Sequence, residues 1–256
     1  MKTVSVIIAA YHAAAFIHDA IRSVLIQQLP SDYQLQLILG IDSCNATCQA
    51  VSGIKDERVL VLNMEKNYGT YITFNTMMRF AFGRLIVRFD ADDLMLEGYL
   101  SKQIEVFEQQ PDVYLTWTRN RYIDKDGHTI QDMPQYDEHN LKYWEIRSPS
   151  NGQFMMRKAL WDALGGFQPW RCNSDTDFLI RMRYLGYREY GIPEILYLRR
   201  IHPDSLTQSA ETGYNSALRK SIIEMMNRAK SERISREECR IEPIVGRIAN
   251  TVTKLD

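Results

Sequence analysis

The sequence predicts an α/β fold, a mostly parallel sheet with helices on both faces. Two features of the first half carry that reading. Apolar runs too hydrophobic to leave a face in water ("TVSVIIAA", "LQLILGI", "RVLVLN" and "LIVRF") alternate with stretches whose apolar residues recur at helical spacing. Continuous apolar runs belong to strands buried on both sides, and parallel strands need helical crossovers between them. A third feature concerns the site: the run at 85–89 ends in Asp90, Asp92 and Asp93. Ligands of such sheets bind beyond the carboxyl ends of the strands.

Taken in order, Thr3 to Ala10 is the first strand, and Phe16, Ile17, Ala20, Ile21, Val24 and Leu25 form one face of a helix. Residues 35–41 and 58–63 are two further strands. Phe74, Met77, Met78 and Phe82 mark a helix ended by Gly83, and "LIVRF" is the fourth strand. Tyr99, Ile104 and Phe107 place a helix after the acidic loop. Past residue 111 the rhythm changes. "VYLTWT" reads as a strand and "YIDKDGHTI" as a hairpin turning at Asp126-Gly127, while 131–150 is polar and irregular, a candidate lid. "GQFMMRKALWDALGGF" gives a strand, a short helix and a Gly165-Gly166 stop. Asp175 to Gly186 is helical, with Phe178, Ile180, Met182 and Leu185 as apolar contacts. The tail, with Leu218, Ile222, Met225 and Met226 among mixed charges, predicts a helical extension.

Composition narrows the class. The 256 residues are 45% apolar and 25% charged with a net charge of −1, an ordinary globular balance with no global field toward nucleic acid or membrane. No run reaches the roughly 18 apolar residues of a spanning helix. "MKTVSVIIAAYHAAAF" imitates a signal peptide but alternates like a strand, so it reads as the start of the fold. Four scattered cysteines make neither a disulfide framework nor a zinc site, and reduced thiols fit a cytoplasmic protein.

The three carboxylates of "FDADD" raise a chemical question. Like charges this close repel, and a turn needs one Asp rather than three. A solvated loop that caps the next helix and a cation site are both open on these residues alone.

In order along the chain, "VSVIIAAYHAAAFIHDAIRSVLIQQ", "LILGIDSCNAT", "NYGTYITFN", "FDADD", "GGFQPWRCNSDTDFLIRMRYLG" and "RRIHPDSLT" resemble the motifs of the family 2 nucleotide-sugar glycosyltransferases. The resemblance implies a GT-A (Rossmann-like) fold: a glycosyltransferase domain over 1–208, with a nucleotide-sugar-binding half (1–110) and an acceptor-binding half (111–208), followed by a C-terminal extension (209–256). Two departures stand out. The acidic turn that holds two adjacent Asp in the family reads Asp42-Ser43 here, and the Glu-Asp pair of the late motif reads Ser174-Asp175.

The resemblance also implies roles. A diphosphate leaving group calls for a hard divalent cation, Mn2+ or Mg2+, held by carboxylate oxygens. Asp92 is the expected direct ligand, Asp93 acts through water or orients the loop, and Asp90 faces the ribose. His202 is a second contact to metal or diphosphate, or else a packed histidine; Arg200 (with Arg199 beside it) pairs with phosphate. Ala10 and Tyr11 bound the base, Asp42 accepts from a uracil imide, and Asn67 and Gly69 let the backbone approach closely. Tyr11 as a core aromatic and Asn67 as a turn residue are the structural alternatives. Asp175 aligns with the base that deprotonates the acceptor hydroxyl, in an inverting reaction; a helix N-cap is its alternative, and Asp177 is the expected helix-start carboxylate.

Trp170 offers a flat ring before Asp175 for a sugar or nucleobase. "NYGTYITFN", "FQPWRCNSD" and "HPDSLT" look like the phage enzymes that glycosylate hydroxymethylcytosine in DNA, which implies a modified-DNA acceptor in the host cytoplasm. Arg79, Arg84, Arg88, Arg119, Arg121, Arg171, Arg181 and Arg183 would supply phosphate contacts if they share a face, and are otherwise scattered solvated charges. Carbohydrate or lipid-linked acceptors stay open, as does a nucleotide-sugar-binding module with decayed catalysis. A nucleotidyltransferase would need a glycine-rich loop after the first strand, and "AAYHAAAF" has no glycine.

Overall fold

In the computed structural model, which describes residues 1–132, 152–231 and 252–255, ten strands join in one sheet. The four apolar runs form its parallel part. Strand β1 (Lys2–Ala10) lies between β2 (Tyr33–Ile41) and β4 (Leu85–Asp90), and β2 carries β3 (Val59–Met64) on its far side. Beyond β4 the sheet continues through β8 (Phe154–Arg157), β6 (Val113–Ile123), β9 (Arg188–Arg200) and the two-residue β5 (Leu94–Met95). Of these contacts only β6–β9 is parallel. The β7 strand (Thr129–Asp132) makes a hairpin with β6, and β10 (Val252–Lys254) runs antiparallel on β3. The sheet is therefore mixed. The expectation of parallel pairing holds for β3-β2-β1-β4, where helices connect the strands, and yields where a hairpin and short returns do.

Alternation along each strand sorts its side chains between two cores. Val4, Val6, Ile8 and Ala10 of β1 point to the side covered by α1 (Ile17–Leu25) and α4 (Tyr99–Gln109), whose Ile17, Ala20, Ile21, Val24, Tyr99, Ile104 and Phe107 are all buried. Ile7, Ile38 and Ile86 point to the opposite core, shared with α3 (Thr70–Met77), α5 (Lys158–Leu164) and α6 (Ser174–Tyr184). Gly165 ends α5 in the left-handed conformation, its N–H donating to Trp161 O at 3.0 Å, as the Gly-Gly stop predicts.

Several elements differ from the sequence reading. Helix α3 ends at Met77 and continues as one 3-10 turn, Met78–Phe80; Phe82 lies outside it, 65% exposed. A short α2 (Asn45–Val51) follows β2; its only buried residues are Thr47 and Val51, so no apolar stripe announces it. The lid expected over 131–150 opens on Gln131 and Asp132, the last residues of β7, and the rest of it lies outside the described residues. After residue 208 the chain forms α7 (Ala217–Ser231) and later β10, so this stretch is not helix throughout. On α7, Ile222 and Met226 pack with Cys172, Trp170 and Ile180.

Candidate active site

The parallel strands deliver their carboxyl ends to one line. Ala10 pairs with Ile41, and Ala9 with Asp90, so β1, β2 and β4 stop together. The acidic loop starts there and returns as β5, whose Leu94 pairs with Leu198 of β9. This pairing brings the end of β9 to the carboxylates. His202 Nε2 lies 2.9 Å from Asp92 Oδ2, with the histidine side chain 9% and the aspartate 25% exposed. Asp93 is buried, and its Oδ1 accepts the Arg200 backbone N–H at 2.8 Å. Removal from water, then Asp92 and Asp90, hold the Asp93 carboxyl well above the usual carboxylate range, against the Arg199 charge and the Arg200 N–H.

Arg200 itself is buried and turned to carbonyls: Nε donates to Asp92 O (2.9 Å), and Nη1 to Lys125 O (2.9 Å) and Asp124 O (3.3 Å). Its guanidinium also sits 4.8 Å from the centre of the Phe16 ring. Arg200 thus fastens the acidic loop to the β6–β7 turn. Its neighbour Arg199 lies over Tyr122, 5.8 Å from the ring centre.

Behind the acidic loop stands one of the arginines expected either to contact phosphate or to be a solvated charge. Arg88 of β4 is 5% exposed. Nη2 is 3.2 Å from Asp90 Oδ1, Nη1 donates to Gly152 O, and the guanidinium lies over Tyr71 at 5.6 Å. Burial opposes its charge, but Asp90 and Asp175 hold its pKa above the ordinary value. Removal from water raises Asp90, with Arg88 working against it and Asp92 with it. Tyr71 is pushed well above its usual range by burial first, then by the Asp175 carboxylate. Asp90 Oδ2 also accepts from Gln153 Nε2. Arg88 therefore links the acidic loop to the neighbourhood of Asp175. The signal was in the sequence: a charge inside a doubly buried strand needs a partner, and Asp90 stands two residues on, on the same face.

Asp175 is the second residue of α6. Its Oδ1 accepts the Thr176 N–H at 2.8 Å, and a Cβ at Gly152 (φ +81°) would overlap its Oδ2. Asp177 pairs instead with Arg181, Nε to Oδ2 at 2.7 Å, and Arg181 also donates to Leu164 O and Gly166 O at 2.8 Å each. That carboxylate belongs to the packing of α5 on α6. Ser174 Oγ, where the family carries an acid, is buried without a hydrogen-bond partner among the described residues.

At the β2 end, Asp42 is 2% exposed and accepts the backbone N–H of Tyr68 and of Gly69, both at 2.8 Å. Its carboxylate holds the 67–69 turn. Asn67 Oδ1 accepts from Arg171 Nη1 at 2.7 Å, and a Cβ on Gly69 would come within 3.1 Å of that same nitrogen. Tyr11 is 47% exposed and stacks on His12 at 4.0 Å, an open ring rather than a core aromatic.

The donor set at Asp92 and His202 fits a divalent cation. A carboxylate oxygen and an imidazole nitrogen from distant segments converge within 2.9 Å, partly open to solvent. Oxygen with one imidazole suits Mn2+ and tolerates Mg2+. A second group of potential ligands, Asp124, Asp126 and His128, sits on the β6–β7 turn. There Asp124 accepts the N–H of Asp126 and of His128, both at 2.9 Å, which accounts for the turn without an ion.

The mixed sheet with helices on both faces is the α/β fold of the GT-A glycosyltransferases. Residues 5–165 match glycosyl transferase family 2, and the chain belongs to that family. An uncharacterized glycosyltransferase of Methanocaldococcus jannaschii is 24% identical over 208 residues, 77% of this chain and 70% of that protein. Escherichia coli WfaP, named UDP-Glc:alpha-D-GlcNAc-diphosphoundecaprenol beta-1,3-glucosyltransferase, is 31% identical over 127 residues, 49% of each protein. The chain thus spans about half of that relative. Among solved structures, S. aureus TarS 1-349 with UDP-GlcNAc superposes with a TM-score of 0.71 at 17% identity, over 93% of this chain and 69% of that one. The mannosyltransferase PcManGT of Pyrobaculum calidifontis, with GDP-Man and Mn2+, gives 0.66 at 17%, over 96% and 68%. These structural likenesses show the fold. No helix among the described residues is long and apolar enough to cross a membrane.

Proposed function

We propose that the chain is an inverting, divalent-cation-dependent transferase that moves a sugar from a UDP-sugar to a hydroxyl of a carbohydrate acceptor. The observation that carries this reading is the layout of its carboxylates. Asp92 faces His202, whereas Asp175 lies apart at the head of α6, separated from the metal pair by the Arg88–Asp90 bridge. One group serves the leaving diphosphate and the other the incoming hydroxyl.

In a single displacement the acceptor oxygen forms a bond to the anomeric carbon as the bond from that carbon to the diphosphate oxygen breaks. The acceptor proton passes to Asp175, and the bonding pair leaves with the nucleoside diphosphate. Asp92 and His202 would hold Mn2+ or Mg2+, with Asp93 keeping the loop in register; such an ion neutralises the charge growing on the leaving group. Asp42 fixes the turn that receives the nucleotide, and Tyr11 offers its face to the base. A base in this position is worth about 10²–10⁴-fold in rate.

The acceptor reading follows from the arginines. Arg88, Arg121, Arg181 and Arg183 are paired with Asp90, Asp132, Asp177 and Glu189, and Arg171 is engaged by Asn67. Arg119 Nη1 also donates to Pro193 O at 3.4 Å, so at least six of the eight arginines considered for DNA phosphates already have partners. The carbohydrate-directed name of the Escherichia coli relative supports the same choice. The test is mass spectrometry of acceptor pools, hydroxymethylated DNA among them, after incubation with several nucleotide sugars and Mn2+. A mass gain confined to DNA would overturn the carbohydrate acceptor. No nucleoside diphosphate release from any donor would mark a binding module with decayed catalysis.

A further inference from the structure

Helix α6 starts in an unusual way. Its N-cap residue, Asn173, belongs to a residue type that caps well through its side chain, yet it makes no side-chain cap bond. Asn173 is 6% exposed with φ +64°, and its Oδ1 instead accepts from Arg219 Nη1 at 2.5 Å. Arg219 comes from the first turn of α7. It is 7% exposed, and its Nε donates to Thr212 O at 2.7 Å with the ring of Tyr214 at 5.2 Å. Meanwhile the N–H of Thr176, which an N-cap side chain would ordinarily take, is bonded by Asp175 Oδ1 at 2.8 Å. Two side chains could serve one donor, and Arg219 removes one of them from the competition.

We propose that Arg219 is a positioning residue for Asp175, acting by holding the Asn173 side chain away from the head of α6. Asp175 then caps its own helix with Oδ1, which turns Oδ2 toward Gly152 and Arg88, the side facing the acidic loop. The inference rests on the reading of Asp175 as the base. It makes the segment after residue 208 part of the catalytic unit, because its first helix sets the direction of a carboxylate 44 positions earlier in the chain.

The test uses the full chain with Mn2+, reading nucleoside diphosphate release from whichever of UDP-glucose, UDP-N-acetylglucosamine and GDP-mannose the unmodified chain turns over fastest. In Arg219→Ala, Asn173 is free to take the Thr176 N–H and displace Asp175. Turnover should fall by about 10- to 100-fold, the scale of a misplaced catalytic group, while the donor titrates as before. Adding Asn173→Gly should restore most of it, since glycine suits φ +64° and has no side chain to compete. Arg219→Met keeps the buried stem and carries the same expectation if the alanine variant does not fold. Normal turnover in the Arg219 variants, or a loss that Asn173→Gly does not rescue, would overturn the inference. Asp175→Asn is measured alongside. If it turns over normally, the base reading fails whatever Arg219 does; if it is impaired while Arg219→Ala is normal, only the positioning role fails.

Discussion

Asp92 Oδ2 and His202 Nε2 meet at 2.9 Å although 110 residues separate them in the chain. The pairing of β5 with β9 creates that meeting, so the proposed cation site is assembled by the sheet rather than by one loop. Asp92→Ala should abolish Mn2+-dependent binding of UDP, and His202→Ala should weaken it less, because one carboxylate of the set remains. Calorimetry with and without Mn2+ reads both. An unchanged affinity and metal dependence in Asp92→Ala would remove it as a ligand.

Asp175 and Asp177 should separate cleanly. Asp175→Asn keeps shape and capping but cannot take a proton, so transfer should fall by about 10² or more with donor binding intact. Asp177→Asn leaves the buried Arg181 without its anion and should cost stability, about 1–3 kcal/mol, with turnover of the folded fraction nearly normal. Urea unfolding and single-substrate kinetics on the two variants check the pattern; the reverse result would exchange their roles.

Gly69 has φ +92° and ψ 158°, a region that side chains other than glycine avoid at a cost of about 1–3 kcal/mol. A Cβ there would also press on Arg171. Gly69→Ala should distort the turn held by Asp42 and raise the donor KM more than it lowers kcat. A donor titration that matches the unmodified chain would free this turn from any part in nucleotide binding.

Acid stability should carry a signature of Asp56. Hydrogen bonds from Arg58 pull its carboxyl down to about 2, below the ordinary value near 3.9. The folded state therefore holds fewer protons than the unfolded chain in this window. The stabilisation is full above about pH 4 and is lost as pH falls toward 2. Asp56→Asn should unfold at lower urea than the unmodified chain at pH 6, and the gap should close as pH drops through that range. A gap independent of pH would assign the effect to packing.

The first half of the fold was legible because strands buried on two faces are written as unbroken apolar runs. Strand β9, "REYGIPEILYLRR", was harder: half of it meets solvent, and Gly191 and Pro193 interrupt its pattern. Helix α2 has no stripe to read. In the site, the carboxylates could be found by type and place, but not their division of labour. Burial, which no local pattern records, makes Asp93 an acceptor for Arg200 and Asp42 an acceptor for two backbone amides. Arg88 was within reach, since its partner stands at the same-face spacing of two.

Strand β10 has a consequence for the molecule in solution. Without it, β3 would end the sheet with a row of open amides and carbonyls flanked by Leu60 and Leu62, a template on which another chain could pair. Val252–Lys254 occupies that row, and Leu255 N–H adds a bond to Val61 O at 3.1 Å. The covering strand is three residues long and carries an exposed lysine, features that discourage further addition. Cutting the chain before Val252 should leave the geometry around Asp92 and Asp175 standing but make the protein self-associate more readily as its concentration rises.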